Sequence, residues 1–339
     1  MAAHDIAYVE MYTRDKATTV DYFVSAMGFA RVADAVEPER SSVLLQQGEV
    51  RLVVTSGRGT VRFLEQHGDG IADVALTCDD VAATAAAAAS AGATVTRSLQ
   101  SLPVVSGFGD VVHTLLPTDP LGNGPFVKRS WSPLPGGTAT AVTGRVTGLD
   151  HIAVCLEGGT LEKYADFYRD VFGFSRYSSE YVAVGAQAMD SIVMRSDSGS
   201  AILTLVAPDP GKEHGQLDNF LERNGGEGVQ HLAFRTGEII TAVHECRERG
   251  VMFLDTPDSY YDMLGERLGG LHAQVEELRE TKVLADRDEW GDLLQVFTRS
   301  PYPRNTLFFE LIQRNGSRGF GSANIRALYE AVELDRLTS

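Results

Sequence analysis

Apolar positions along the chain fall into short runs that recur. IAYVEMY at 6–12 and LDHIAVC at 149–155 have strand length, and each precedes a stretch of helical spacing that stops at Gly28-Phe29 or Gly173-Phe174. A glycine there suits the left-handed residue that ends a helix. A second pair aligns better still: GDGIADVALTCDD at 68–80 parallels GEGVQHLAFRTGE at 226–238. From Asp73 to Gly92 and from His231 to Gly250 the separation is 19 residues in both cases. Equal spacing in two halves is the mark of a duplicated unit. Four similar units result, starting near 5, 70, 149 and 228, each reading strand, helix, then further strands. The later strands include 42–55, 110–117, 201–208, 292–297 and 305–313, rich in β-branched residues and separated by polar or glycine turns.

One βαβββ unit curls without closing, whereas two side by side bury their inner faces as a half-barrel pair. The pattern predicts an α+β chain with two barrel-like domains. They span 1–117 and 148–339, with a Gly-, Pro-, Ser- and Thr-rich linker at 118–147. Near the C-terminus Ile325, Leu328, Tyr329 and Val332 follow i, i+3, i+4, i+7 spacing, which predicts a helix, read as a lid over the C-terminal barrel.

Charge and composition narrow the function. The 339 residues carry 30 Lys+Arg against 46 Asp+Glu, a net charge of −16. That argues against nucleic-acid binding, which needs basic stripes to meet phosphate, and against docking on anionic lipid. No run of about 18 apolar residues is present to span a membrane. The opening MAAHDIAYVE lacks a basic stretch followed by an apolar core, and the three cysteines, Cys78, Cys155 and Cys246, form no CxxC. Free thiols in a reducing cytoplasm are expected.

The repeat allows one half to be compared with the other. His151 falls opposite Tyr8, His231 opposite Asp73, and Glu310 opposite Thr114. One half therefore has His, His and Glu where the other has Tyr, Asp and Thr, which suggests one loaded barrel and one empty barrel. Charge inside an apolar strand is costly unless compensated, and a divalent metal would compensate all three positions. Two neutral imidazoles and one carboxylate leave ligand positions open, as in the facial triad of non-haem Fe(II) oxygenases. A His₂Glu zinc site is the competing reading, although no HExxH helix occurs. His4, His67, His113, His214, His244 and His272 show no such pattern and read as surface or packing residues.

The paired units with LDHIAV, GVQHLAF and FFELIQR resemble the vicinal-oxygen-chelate superfamily, and most closely the 4-hydroxyphenylpyruvate dioxygenase family. DTPDSYYDMLGER at 255–267, LADRDEWGDLLQVFT at 284–298 and GFGSANIRALYEAVE at 319–333 extend the resemblance over nearly the whole chain. It implies the vicinal-oxygen-chelate fold, Fe(II) held by His151, His231 and Glu310, and a small 2-oxo acid substrate with O₂. A homodimer is compatible with it. The family holds two activities on 4-hydroxyphenylpyruvate: ring hydroxylation to homogentisate, and benzylic hydroxylation to 4-hydroxymandelate with loss of CO₂. Where the first has Pro-x-Asn-Glu-Pro, this chain reads Thr204-Leu205-Val206-Ala207-Pro208. Where the first has Asn-Phe-Lys-Ala-Leu-Phe, it reads Asn324-Ile325-Arg326-Ala327-Leu328-Tyr329. These departures resemble the mandelate-forming pattern, which would supply hydroxyphenylglycine for peptide antibiotics; homogentisate formation is the alternative. By the same resemblance Ser191 and Thr204 are candidates to hold the phenol oxygen. Val206, Ile325 and Tyr329 would shape the pocket, Gln216 and Gln295 would line it, and Phe297 and Phe308 would wall it. Asn324 would contact substrate or cap the last helix. A non-catalytic binding protein would not need all three metal residues in one half. A glyoxalase-type isomerase commonly builds its site across paired modules with a different ligand set.

Overall fold

The structure, a computed structural model, describes residues 3–118, 131–133, 144–268, 275–321, 324 and 326. In the N-terminal half the strands are β1 (Ala3–Tyr12), β2 (Ala30–Glu37), β3 (Arg40–Gln47), β4 (Val50–Ser56), β5 (Gly70–Cys78), β6 (Val95–Arg97), β7 (Pro103–Ser106), β8 (Val112–Pro117) and the short β9 (Ser132–Pro133). The C-terminal half holds β10 (Val146–Cys155), β11 (Ser175–Val184), β12 (Gln187–Arg195), β13 (Ile202–Pro208), β14 (Gly228–Thr236), β15 (Leu284–Arg287), β16 (Asp292–Phe297) and β17 (Phe308–Asn315).

The two sheets have the same topology. Their orders are β6-β7-β8-β5-β1-β4-β3-β2-β9 and, read from the other edge, β15-β16-β17-β14-β10-β13-β12-β11. The central register repeats as well. Tyr8 pairs with Ala75 and Glu10 with Asp73, just as His151 pairs with Ala233 and Ala153 with His231. Asp73 pairs with Val112 as His231 pairs with Phe308, so Thr114 and Glu310 each stand two residues beyond equivalent partners. The comparison made from sequence alone is therefore a comparison of equivalent backbone positions.

Helices end where the glycines predict. The helix Leu161–Phe172 closes on Gly173 at φ +72°, whose N–H donates to the Arg169 carbonyl while the Phe174 N–H reaches Tyr168. Its counterpart runs Lys16–Asp21, starts on an Asp15 cap and widens into a π-helical turn over Tyr22–Ala26 before Gly28. These helices lie between the backs of the two sheets. Phe23 meets Phe309 of β17 edge-on at 5.1 Å, and at the equivalent place the Tyr168 hydroxyl bonds His113 Nε2 of β8 at 2.8 Å. Phe29 meets Phe234 at 5.7 Å. One apolar cluster consequently runs through both halves. The first sheet also recruits β9 from within the expected linker, and β10 begins at Val146, also inside it. The C-terminal helix expected around Ile325 and Tyr329 lies outside the described residues.

Period-two alternation decides what faces inward. On the central strands of the C-terminal sheet, Ile152, Val154, Leu232, Phe234, Phe309 and Leu311 point back into the shared core. His151, His231 and Glu310, on alternate positions, turn into the curl of the sheet.

Candidate metal centre

Three neighbouring strands bring the three side chains together. His151 on β10, His231 on β14 and Glu310 on β17 are 3%, 8% and 1% exposed. The Nε2 atoms of His151 and His231 lie 3.3 Å apart, and Glu310 Oε2 lies 3.5 Å from the first and 3.2 Å from the second. Among the described residues these three form a group able to hold a metal ion.

The partners of the other ring nitrogens fix the tautomers. His151 Nδ1 faces Asp150 Oδ1 at 3.0 Å and His231 Nδ1 faces Gln230 Oε1 at 3.2 Å. Both Nδ1 atoms therefore carry the proton, and both Nε2 lone pairs point at each other and at a carboxylate oxygen. Three acceptors converging in a buried space repel one another unless a cation sits among them. An ion about 2.1 Å from each of three such atoms sets them roughly 3.0 Å apart in octahedral and about 3.4 Å apart in tetrahedral geometry. The observed separations match that range, so the residues fit a divalent ion. Burial holds His231 below its ordinary pKa, partly offset by the Glu310 carboxylate, which favours the neutral ligand form.

His151 and Glu310 are braced from behind. Arg314 Nε and Nη2 each donate to Asp150 at 2.8 Å, and Arg314 Nη1 donates to the Gly319 carbonyl at 2.6 Å. Burial opposes the charged form of Asp150, but the bonds from Arg314 and His151 outweigh it and hold its carboxyl well below the usual range. Gln295 Nε2 donates to Glu310 Oε1 at 2.8 Å.

A cavity of about 520 Å³ opens in front of the three ligands. Ser191, Thr204, Val206, Gln216, Gln295, Phe297 and Phe308 all line it. Phe308 stacks on His231 at 5.0 Å. Asn324 does not line the cavity; it is buried behind Gln295 and donates to its Oε1 at 2.9 Å. Ile325 and Tyr329 lie outside the described residues.

The N-terminal half treats the equivalent positions differently. Thr114 Oγ1 and Tyr8 Oη donate to Asp73 Oδ2 at 2.5 Å and 3.3 Å, and the Thr114 N–H donates to Oδ1 at 2.9 Å. Donors and acceptor thus satisfy each other without an ion. Around them Ala7, Ala33, Leu44, Val53, Ala75 and Leu116 pack as a small core.

Several site residues escaped the sequence reading. Asp150 and Arg314 are charged residues within apolar strands, and that placement is their one local signal in the sequence. Val193 lines the cavity beside Thr204, its partner across β12 and β13. Glu180 also lines it, with one carboxyl oxygen buried and unbonded among the described residues, and burial raises its pKa. Phe320 lines it too and packs edge-on against His151 at 5.3 Å.

Comparison with known proteins agrees with this geometry. The model of the Glyoxalase/Bleomycin resistance protein/Dioxygenase superfamily matches residues 5–124 and 148–290. A 4-hydroxyphenylpyruvate dioxygenase of Coccidioides posadasii is 30% identical over 97% of this chain and 92% of its own. The corresponding enzyme of Neurospora crassa is 32% identical over 80% of this chain and 71% of its own. Among solved structures, a mutant of 4-hydroxymandelate synthase from Streptomyces coelicolor superposes with a TM-score of 0.88 at 47% identity, covering 98% of this chain and 99% of that one. With this fold, this site and these relatives, the chain belongs to the vicinal-oxygen-chelate superfamily and, within it, is a dioxygenase of the 4-hydroxyphenylpyruvate dioxygenase family.

Proposed function

We propose that the chain binds Fe(II) through His151, His231 and Glu310 and converts 4-hydroxyphenylpyruvate and O₂ to 4-hydroxymandelate and CO₂. The observation that carries the reading is the convergence of two Nε2 lone pairs and one carboxylate oxygen at 3.2–3.5 Å in a buried pocket. Fe(II), when bound, supplies the redox chemistry with O₂ needed for oxidative decarboxylation of a 2-oxo acid, which Zn(II) does not. With one anionic ligand, the centre keeps a net positive charge, since Arg314 neutralises Asp150. It therefore attracts a carboxylate into a protein whose net charge is −16.

The chain's own residues orient the substrate and keep it dry. Ser191 Oγ donates to the Glu180 carbonyl at 3.1 Å, so its lone pairs are left to accept a phenol O–H. Thr204 Oγ1 is buried without a partner among the described residues and offers both a donor and an acceptor. Phe297 and Phe308 wall the ring in, and Gln216 and Val206 complete the pocket. Homogentisate and 4-hydroxymandelate are isomers, so the choice is one of position, and a displacement near 1 Å decides it. The 47% identity to 4-hydroxymandelate synthase supports the benzylic outcome. That relative's solved mutant replaces a serine, a valine two residues on and a later tyrosine; Ser191, Val193 and Tyr329 repeat those residue types at the same spacing. Thr204, Val206 and Ile325 complete, with Tyr329, the set of departures read from the sequence, while Asn324 keeps the residue type of the dioxygenase motif. The N-terminal half, 1–117, is read as the metal-free half, and 148–339 as the catalytic one. Three buried thiols without a disulfide support a cytoplasmic setting.

The test is product analysis. The full chain, loaded with Fe(II), is given 4-hydroxyphenylpyruvate and O₂, and the quenched mixture is chromatographed. 4-Hydroxymandelate is expected as the major product. Homogentisate would overturn the benzylic assignment, and no turnover by the iron-loaded protein would overturn the substrate.

A further inference from the structure

Asn324 is one link in a buried run of hydrogen bonds that ends on Glu310. Tyr260 Oη donates to Asn324 Oδ1 at 2.9 Å, Asn324 Nδ2 donates to Gln295 Oε1 at 2.9 Å, and Gln295 Nε2 donates to Glu310 Oε1 at 2.8 Å. Tyr260, Asn324, Gln295 and Glu310 are 7%, 1%, 4% and 1% exposed. The Tyr260 oxygen also accepts the Ala285 N–H at 2.9 Å, which pins the ring to β15, and the Ala285 carbonyl at 2.9 Å is a second acceptor for its one proton.

The direction of the run is set from its metal end. A carboxylate only accepts, so Gln295 must turn its NH₂ toward Glu310. Its carbonyl then requires a donor, which Asn324 provides, and the Asn324 carbonyl faces the Tyr260 hydroxyl, whose proton it shares with the Ala285 carbonyl. As a result Glu310 keeps Oε1 under the Gln295 amide and turns Oε2 to the two imidazoles. Gly321 guards the same joint. At φ +68° it lies in the left-handed region, and a Cβ there would stand 2.6 Å from Gln295 Oε1 and 3.2 Å from Asn324 Cβ.

We propose that Asn324, held by Tyr260, is a positioning residue for Glu310: it acts through Gln295 to keep one carboxylate oxygen directed at the imidazoles, and it does not contact substrate. The inference rests on the metal reading of the site. It also reassigns a residue whose sequence context suggested substrate contact or a helix cap.

The experiment measures metal affinity of the full chain by chelator competition with Co(II) and Fe(II), together with the visible spectrum of the Co(II) form. Asn324→Asp keeps the shape but sets an acceptor against Gln295 Oε1. The Gln295 amide then turns over to donate to the new carboxylate and presents its carbonyl to Glu310. We expect metal affinity to fall about 10–100-fold, with a changed Co(II) spectrum. Gly321→Ala, which displaces Gln295 from the other side, and Tyr260→Phe should move both readouts in the same direction. A folded Asn324→Asp protein with unchanged affinity and spectrum overturns the proposal, as does a raised KM with metal binding intact. Should Asn324→Asp fail to fold, unchanged metal binding in both Gly321→Ala and Tyr260→Phe overturns it, and a loss in either sustains it. The metal reading itself fails separately, if the wild-type chain binds no metal or His231→Ala binds it as well as wild type.

Discussion

Arg314 forks onto Asp150, with Nε on one carboxylate oxygen and Nη2 on the other, both at 2.8 Å. The pair joins β17 to β10 directly behind His151, whose Nδ1 bonds the same carboxylate at 3.0 Å. A carboxylate behind a ligand histidine fixes its ring and its tautomer. Asp150→Asn should therefore lower metal affinity about 10–100-fold. It should also cost about 3 kcal/mol of stability, because it leaves a partly buried guanidinium without its counter-charge. Adding Arg314→Met should recover part of the stability but not the affinity. Urea unfolding and chelator competition read the two effects separately.

Glu310→Gln keeps the side chain's size and removes the one anionic donor of the triad. We expect metal to be lost on gel filtration and turnover to be abolished. Metal analysis of the eluted protein checks this, and full retention with full activity would remove Glu310 from the ligand set.

His113 gives the stability a defined pH dependence. It stands on β8, fully buried between Val74 of β5 and Tyr168 of the helix Leu161–Phe172, and burial lowers its pKa to about 4, partly offset by the Val74 carbonyl. The folded chain thus holds the imidazole neutral, while the unfolded chain protonates it near 6.5. The stability this confers is complete above about pH 6.5. It falls as the pH drops from there toward 4, by at most about 1.4 kcal/mol per pH unit. Urea titrations across that window, run with chelator present, should show a shallower slope for His113→Asn. An unchanged slope would mean that other groups carry the acid sensitivity.

Phe309 sits where the halves meet, 5.1 Å from Phe23 and 5.8 Å from Phe234. Phe309→Ala should cost about 3–5 kcal/mol, and wild type and variant should each unfold in a single transition. Two resolved transitions in calorimetry would show instead that the halves are independent domains.

The repeat was legible because strand and helix periods are local properties of sequence, and because 19-residue spacing survives in both halves. Alignment of the halves then exposed His151, His231 and Glu310 as chemically unlike their counterparts, and the equivalent registers of the two sheets give that comparison its physical basis. What the sequence could not determine involves partners far apart along the chain. Asp150 and Arg314 are 164 residues apart, and only the placement of β10, β14 and β17 side by side makes them a pair. Asn324 is set behind Gln295 by the curl of β15 and β16 and by the bare backbone of Gly321, not by its own neighbours. Whether a half-barrel closes on itself or keeps a cavity also depends on summed side-chain volumes and on which donors meet which acceptors. Tyr8, Asp73 and Thr114 satisfy one another, whereas His151, His231 and Glu310 present three acceptors with no donor among them. Period and spacing are written in the order of residues, but mutual satisfaction of polar groups exists only once distant strands have become neighbours.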